Sequence, residues 1–344
     1  MQAVAKIKAG PGLNLIDALI PKPKANELLL KIKACSICGT DVHIYNWENP
    51  WDSKIKPPMI IGHEGFGEVV EIGKAVRGWE IGDYASPESH FHCGKCDMCL
   101  SGHANVCRNM LGLGMGGANG TYAEYVVVPT KSALKTDKKI SPEVGTLQEP
   151  FGNAVYTVDE GHVKDKTVAV FGMGPIGIMA IAAAKALGAE MVVGVGGSSI
   201  HKELAKKMGA DIVIDRKNEA VIERIMEETD NKGIDVFLEM SGAESAIMQG
   251  FEAVKKGGSV VLLGLPTKQI TIDWSKYLVL KDLAIKGVYG RKIWDTWQLS
   301  SELITSGKVD LAKLITHRYK LSEFEKGFEV MKSGNCGKVV MFPK

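Results

Sequence analysis

Thr167-Val168-Ala169-Val170-Phe171-Gly172-Met173-Gly174-Pro175-Ile176-Gly177 decides how this chain folds. Its first five residues are a compact apolar strand. The glycines follow at once, and an alanine-rich helix over 178–187 comes next. A lone G-x-G-x-x-G says little, but strand before and helix after are the context in which the pattern binds a dinucleotide. Gly172, Gly174 and Gly177 permit a tight turn and a close approach of backbone to pyrophosphate, which rests on the positive N-terminus of the helix that Pro175 and Ile176 open. Strands at 191–195, 211–214, 236–239, 259–263 and 283–288 then alternate with helical or loop segments. Six such strands predict an α/β fold with a Rossmann doubly wound parallel sheet.

The chain before this stretch has a different texture. Residues 28–33 read as a strand, glycine-punctuated β structure runs from Gly62 to Gly73, and 120–129 reads as a further strand. Residues 44–58 read as a polar loop carrying Trp47 and Trp51, which either wall a substrate pocket or cover the core. Between these segments lie Cys38, His63 and Glu64, a thiolate, an imidazole and a carboxylate. Such a mixed set suits catalytic zinc, which keeps one coordination position open. Cys93, Cys96, Cys99 and Cys107 form C-x2-C-x2-C-x7-C, a spacing that closes a tetrahedral structural zinc site. An iron–sulfur cluster is the rival, although the ferredoxin run continues with a three-residue gap and a proline that are missing here.

Composition narrows the function classes. A net charge of +2 without a basic stripe gives no footprint for nucleic acid. No apolar run approaches the roughly 20 residues that span a bilayer, and the N-terminus lacks a signal-peptide core. Seven cysteines, four of them within fifteen residues, favour metal over disulfides. The expected location is cytoplasmic. The texture changes again after 288, where 294–305 is helical and 337–342 resembles the β-rich half. The expected organisation is a discontinuous catalytic domain, 1–150 plus 290–344, around a cofactor domain at 151–289.

Cys38-Gly39-Thr40-Asp41, Gly62-His63-Glu64, the four-cysteine lobe and the glycine turn together resemble the zinc-dependent medium-chain alcohol dehydrogenase family. Within it, Val42-His43-Ile44-Tyr45-Asn46-Trp47, Gln148-Glu149-Pro150-Phe151-Gly152-Asn153, Tyr289-Gly290-Arg291-Lys292-Ile293-Trp294 and Gly334-Asn335-Cys336-Gly337-Lys338 resemble its L-threonine 3-dehydrogenase branch. The resemblance implies a GroES-like catalytic domain and two zinc ions per chain, one catalytic on Cys38, His63 and Glu64 and one structural. It implies Glu149 as an exchangeable ligand or relay group, with Thr40 and His43 passing the substrate hydroxyl proton to solvent. The chemistry implied is alkoxide formation at zinc and hydride transfer to NAD(P), taking L-threonine to 2-amino-3-ketobutyrate. A homotetramer and no partner beyond a small-molecule alcohol are also implied. Expected substrate contacts are His90 and Trp47. The expected cofactor set adds Gly196, Ser198, Ser199, His201, Leu263, Gly264, Leu265, Val288 and Tyr289 to the glycine turn.

Three departures limit the transfer. The acidic residue usually found about twenty positions beyond the glycines, where it bonds the ribose of NAD, is replaced by Gly196. Ser198, Ser199 and His201 are placed to bond a 2′-phosphate, so NADP stands slightly ahead of NAD. The loops at 110–119 and 48–53 also differ from the family and leave the amino-acid substrate open to a polyol or vicinal-diol alternative. A non-enzymatic NAD(P) sensor is the reading from another class. It leaves Thr40 and His43 without a purpose, because a sensor needs no proton relay. Cys35 and Cys336 read as small core residues, and His103 as a solvated loop residue.

Overall fold

A computed structural model describes residues 1–344. The chain divides into two compact units, one made of 1–150, 292–297 and 315–344, the other of 151–291 and 298–314. Residues 298–314, expected with the catalytic part, therefore group with the dinucleotide part. Leu303, Leu311 and Leu314 are buried there, and the turn Leu311–Leu314 packs on the helix Ser199–Lys207.

The first unit is built around the strand Glu27–Ser36, part of a seven-stranded sheet. Leu28, Leu30 and Ile32 share one face of the strand and join the core cluster, and Leu29 on the other face is buried as well. This strand pairs antiparallel with Glu64–Ile72 along one edge. Along the other it pairs with Tyr125–Pro129 and, near its end, with Lys338–Phe342. Residues from both chain termini thus meet in one core, where Val4 lies with Phe328, Val339 and Met341. The expected loop at 44–58 is more regular than the sequence suggested. The helix Gly39–Asn46 runs into it, and a short helical turn occupies Trp51–Lys54. Trp47 and Trp51 pack against the core cluster, which favours their core-covering role.

The second unit holds six parallel strands in the order Ile212–Asp215, Met191–Gly196, Thr167–Phe171, Ile234–Glu239, Val254–Leu262, Ala284–Gly287. The order reverses between Thr167–Phe171 and Ile234–Glu239's side of the sheet, the switch point outside which doubly wound folds bind ligands. The central strands are mostly apolar because helices cover both faces of such a sheet. Phe237 is fully buried, with ring centroids 5.0 Å from Phe171 and 6.0 Å from Phe251. Gly250 is required beneath it, since a Cβ there would fall 2.1 Å from the Phe237 ring. No helix is long and apolar enough to cross a membrane.

Truncating Phe237 to Ala empties the centre of this aromatic row. The expected loss is about 3–5 kcal/mol, the usual cost of a buried Phe→Ala cavity, read from the denaturant midpoint of unfolding.

Candidate active site

The strand Glu27–Ser36 stops at Ser36, and the helix Gly39–Asn46 starts three residues on with Cys38 as its N-cap. Thr40 is therefore inside the first turn and does not cap the helix. Opposite, Ser36 is in register with Glu64, the first residue of the next strand. His63 precedes it after a turn at Gly62, which has φ +90° and whose Cβ would strike the Tyr122 ring at 2.2 Å. The end of one strand and the start of its neighbour thus bring Cys38, His63 and Glu64 together. One ligand atom from each lies within 4.8 Å of the others.

The surroundings hold each group by one side only. Glu64 Oε2 accepts from Lys338 Nζ at 2.5 Å and from Ser36 Oγ, whereas the buried Oε1 has no hydrogen-bond partner. His63 Nδ1 lies 3.3 Å from Asp41 Oδ1, which leaves Nε2 for Cys38. Asp41 Oδ2 accepts from Tyr122 Oη at 2.6 Å and from the Cys38 amide at 3.0 Å. Burial opposes charge on His63, but the anionic Asp41 and Cys38 outweigh it and push its pKa up. Burial raises the Glu64 carboxyl in spite of Lys338. A thiolate, an aimed imidazole and a buried carboxylate oxygen without a partner fit a divalent cation with mixed ligands. The carboxylate behind the histidine is the usual support for such a ligand.

Four more cysteines converge in the lobe. The Sγ separations are 3.5 Å for Cys96–Cys99, 3.8 Å for Cys96–Cys107 and 4.0 Å for Cys93–Cys99. Tetrahedral zinc with Zn–S near 2.3 Å requires roughly 3.8 Å between sulfurs. Sulfurs this close enclose one ion and leave no volume for a multi-iron cluster. Backbone amides, that of Lys95 foremost, bring Cys93 down to about 6, while burial drives Cys99 up to about 12. His103 bonds Ser101 at the surface and takes no part. Cys35 and Cys336 are buried, as expected of core residues.

The remaining expected residues fall in two places. Thr40 and His43 share a helix face three positions apart, with His43 exposed and paired to Glu48. Glu149 is buried, its Oε1 accepting from Ser89 Oγ at 2.7 Å, and its charge is felt by Glu64. His90 Nδ1 is 2.8 Å from Glu88 Oε1, and Glu88 Oε2 accepts from Trp297 Nε1 at 2.6 Å. Lys6 lies 5.1 Å beneath the Trp47 ring. In the second unit, Gly172 has φ +104°, a Cβ at Gly177 would sit 1.9 Å from the Gly172 carbonyl oxygen, and Gly174 opens on free space. Such a cradle admits a phosphate. Gly196 ends the neighbouring strand, and Ser198, Ser199 and His201 follow it. The Leu263 and Gly264 amides bond the Glu239 carbonyl, and the Val288 amide bonds that of Leu262, with Tyr289 next and half exposed. Sequence reasoning missed Lys338, Ser36, Asp41, Tyr122 and Glu88. Their one signal is a charged or polar residue inside an otherwise apolar strand or motif.

Residues 24–138 match the Alcohol dehydrogenase GroES-like domain and 175–306 match the Zinc-binding dehydrogenase family. The chain is 48% identical to an L-threonine 3-dehydrogenase of Pyrococcus horikoshii, covering 100% of this chain and 99% of that one. This chain is a zinc-binding alcohol dehydrogenase of the medium-chain family. Two solved members of the family show the same fold at 29% identity and TM-score 0.90. One is a putative zinc-binding dehydrogenase from Sinorhizobium meliloti bound to NADP, with 99% of each chain covered. The other is 2R,3R-butanediol dehydrogenase from Bacillus subtilis, with 100% of this chain and 99% of that one covered.

Asp41→Asn removes the charge that orients His63. Zinc affinity at this cluster is expected to fall about 10–100-fold, read by chelator competition, while the lobe keeps its ion.

Proposed function

We propose that this dehydrogenase oxidises L-threonine at its hydroxyl carbon to 2-amino-3-ketobutyrate, with NADP preferred to NAD. The observation that carries the substrate is the end-to-end match, at 48% identity, to an enzyme named for that reaction. The buried cluster of Cys38, His63 and Glu64 supports the chemistry.

When bound, zinc polarises a hydroxyl oxygen as a Lewis acid and the nicotinamide accepts hydride. The chain supplies everything around that event. Cys38 and His63 would hold the ion, and Lys338 and Ser36 grip Glu64 by one oxygen and leave the other without a partner. Thr40 Oγ1 takes the hydroxyl proton and hands it to His43, whose exposed ring, bonded to Glu48, releases it to solvent. Glu149, steadied by Ser89, serves as the second carboxylate of the site. Glu88 fixes the His90 ring by Nδ1, so that His90 meets the polar end of the substrate.

The NADP preference rests on Gly196, where an acid would repel a 2′-phosphate, and on the serines that follow. A homotetramer is part of the same reading. The edge strand Ala284–Gly287 is exposed at all four residues, and Trp274, Val279 and Leu280 near it in sequence are about two-thirds exposed or more. An open, apolar sheet edge invites pairing with a second copy. Seven free cysteines accord with a reducing cytosol.

Initial rates with NAD and NADP, each against L-threonine, sorbitol and 2,3-butanediol, test the assignment. L-threonine with NADP is expected to win, and a faster diol or polyol would replace the substrate reading. Cys38→Ser should lose one of two zinc equivalents together with turnover, and retained output would favour a sensor. Light scattering is expected to return four chains per particle.

A further inference from the structure

Gly196 closes the strand Met191–Gly196, where the adenosine ribose meets a sheet of this kind. Its backbone is not left-handed, so conformation does not demand glycine there. Space does. A Cβ at Gly196 would lie 2.8 Å from Met173 Cε and 3.1 Å from Met173 Cβ, and one at Gly194 would lie 2.8 Å from Met173 Sδ. Met173, the middle residue of the glycine turn, is 3% exposed. Its side chain runs under the end of the strand, so that a side chain at 196 requires Met173 to give way.

The neighbouring groups suit an anion better than a bare ribose. The Lys217 stem lies against Gly197, its Cε 3.2 Å from where a Cβ would stand. Ser198 caps the next helix without using its hydroxyl. The nearest acid, Asp215, is in register with Gly196 but is already engaged. Its Oδ2 accepts from Lys202 and from Asn218, and its Oδ1 accepts from the Lys217 amide. Asp215 is thus held by groups of its own loop and by Lys202, while the Lys217 stem lies beside Gly197 and the Ser198 hydroxyl makes no capping bond.

We propose that Met173 is the residue that holds position 196 to glycine. By occupying the space at Gly196 it bars an acidic side chain from the strand end, and the 2′-phosphate is then received by Lys217 and Ser198. This rests on the NADP reading above.

Calorimetric binding of 2′,5′-ADP and 5′-AMP to the full chain, with melting temperature, tests it without turnover. The wild type should prefer 2′,5′-ADP by about tenfold or more, as a charge-assisted bond is gained. Lys217→Ala should weaken 2′,5′-ADP alone. Met173→Ala adds no acid and should keep the preference. Gly196→Asp alone should melt lower and bind both nucleotides poorly. Met173→Ala with Gly196→Asp should regain the melting temperature and reverse the preference to 5′-AMP. If Gly196→Asp alone folds normally and gains 5′-AMP, or the double variant recovers neither stability nor 5′-AMP, the role of Met173 is overturned even where the wild type prefers phosphate. If the wild type prefers 5′-AMP, the NADP reading falls instead, and a double variant that outperforms Gly196→Asp in melting temperature and 5′-AMP affinity still upholds the steric lock.

Discussion

Two charges buried in one sheet organise the catalytic unit. Glu64 and Lys338 are both almost inaccessible to solvent and meet at 2.5 Å. Neither is tolerable alone in such a place, because an isolated buried ion costs several kcal/mol. Together, with the Ile37 carbonyl taking another Lys338 proton at 3.0 Å, they satisfy one another and fix the direction of the remaining carboxylate oxygen. Burial works to discharge Lys338, and Glu64 reverses that, holding its ammonium above the ordinary range. The pair also joins the strand Glu64–Ile72 to the strand Lys338–Phe342 through their shared neighbour. Metal geometry and sheet assembly are thereby one problem with one solution.

The second unit solves a different problem, the approach of backbone to a charged cofactor. Its solution is absence of side chains. Gly172 and Gly177 leave no room for a Cβ, and Gly174 faces open space. Met173 between them does the opposite and fills the volume under the next strand. A short turn therefore shapes both the glycine cradle and the end of the strand Met191–Gly196.

Much of this was legible in the chain because it is local. Six strands and their glycine turn are written in short spacings and form as read, and the residues of both candidate metal sets come together. What escaped the sequence is carried by partners far apart. Lys338 finds Glu64 across 274 positions, Trp297 finds Glu88 across 209, and Tyr122 finds Asp41 across 81. Periodicity cannot announce such pairs, since each member alone resembles an ordinary strand or turn residue. The segment 44–58 failed for the opposite reason. Its prolines and polar residues read as loop, yet packing of Ile44, Trp47 and Trp51 on the core supplies helical order that propensity does not. Residues 298–314 were misgrouped because a helix after the last parallel strand carries no mark of the unit it packs against.

The discontinuity of the catalytic unit has a consequence in time. Protein synthesis is vectorial, and the dinucleotide unit is nearly complete once residue 314 has been made. The cluster of Cys38, His63 and Glu64 still awaits Lys338, 274 positions beyond Glu64. Until that lysine arrives, Glu64 lacks its counter-charge and the central strand lacks a neighbour near Ser36. Cys38, His63 and Glu64 are thus made early and aimed late, and a chain lacking Lys338 would carry all three without the charge that fixes Glu64.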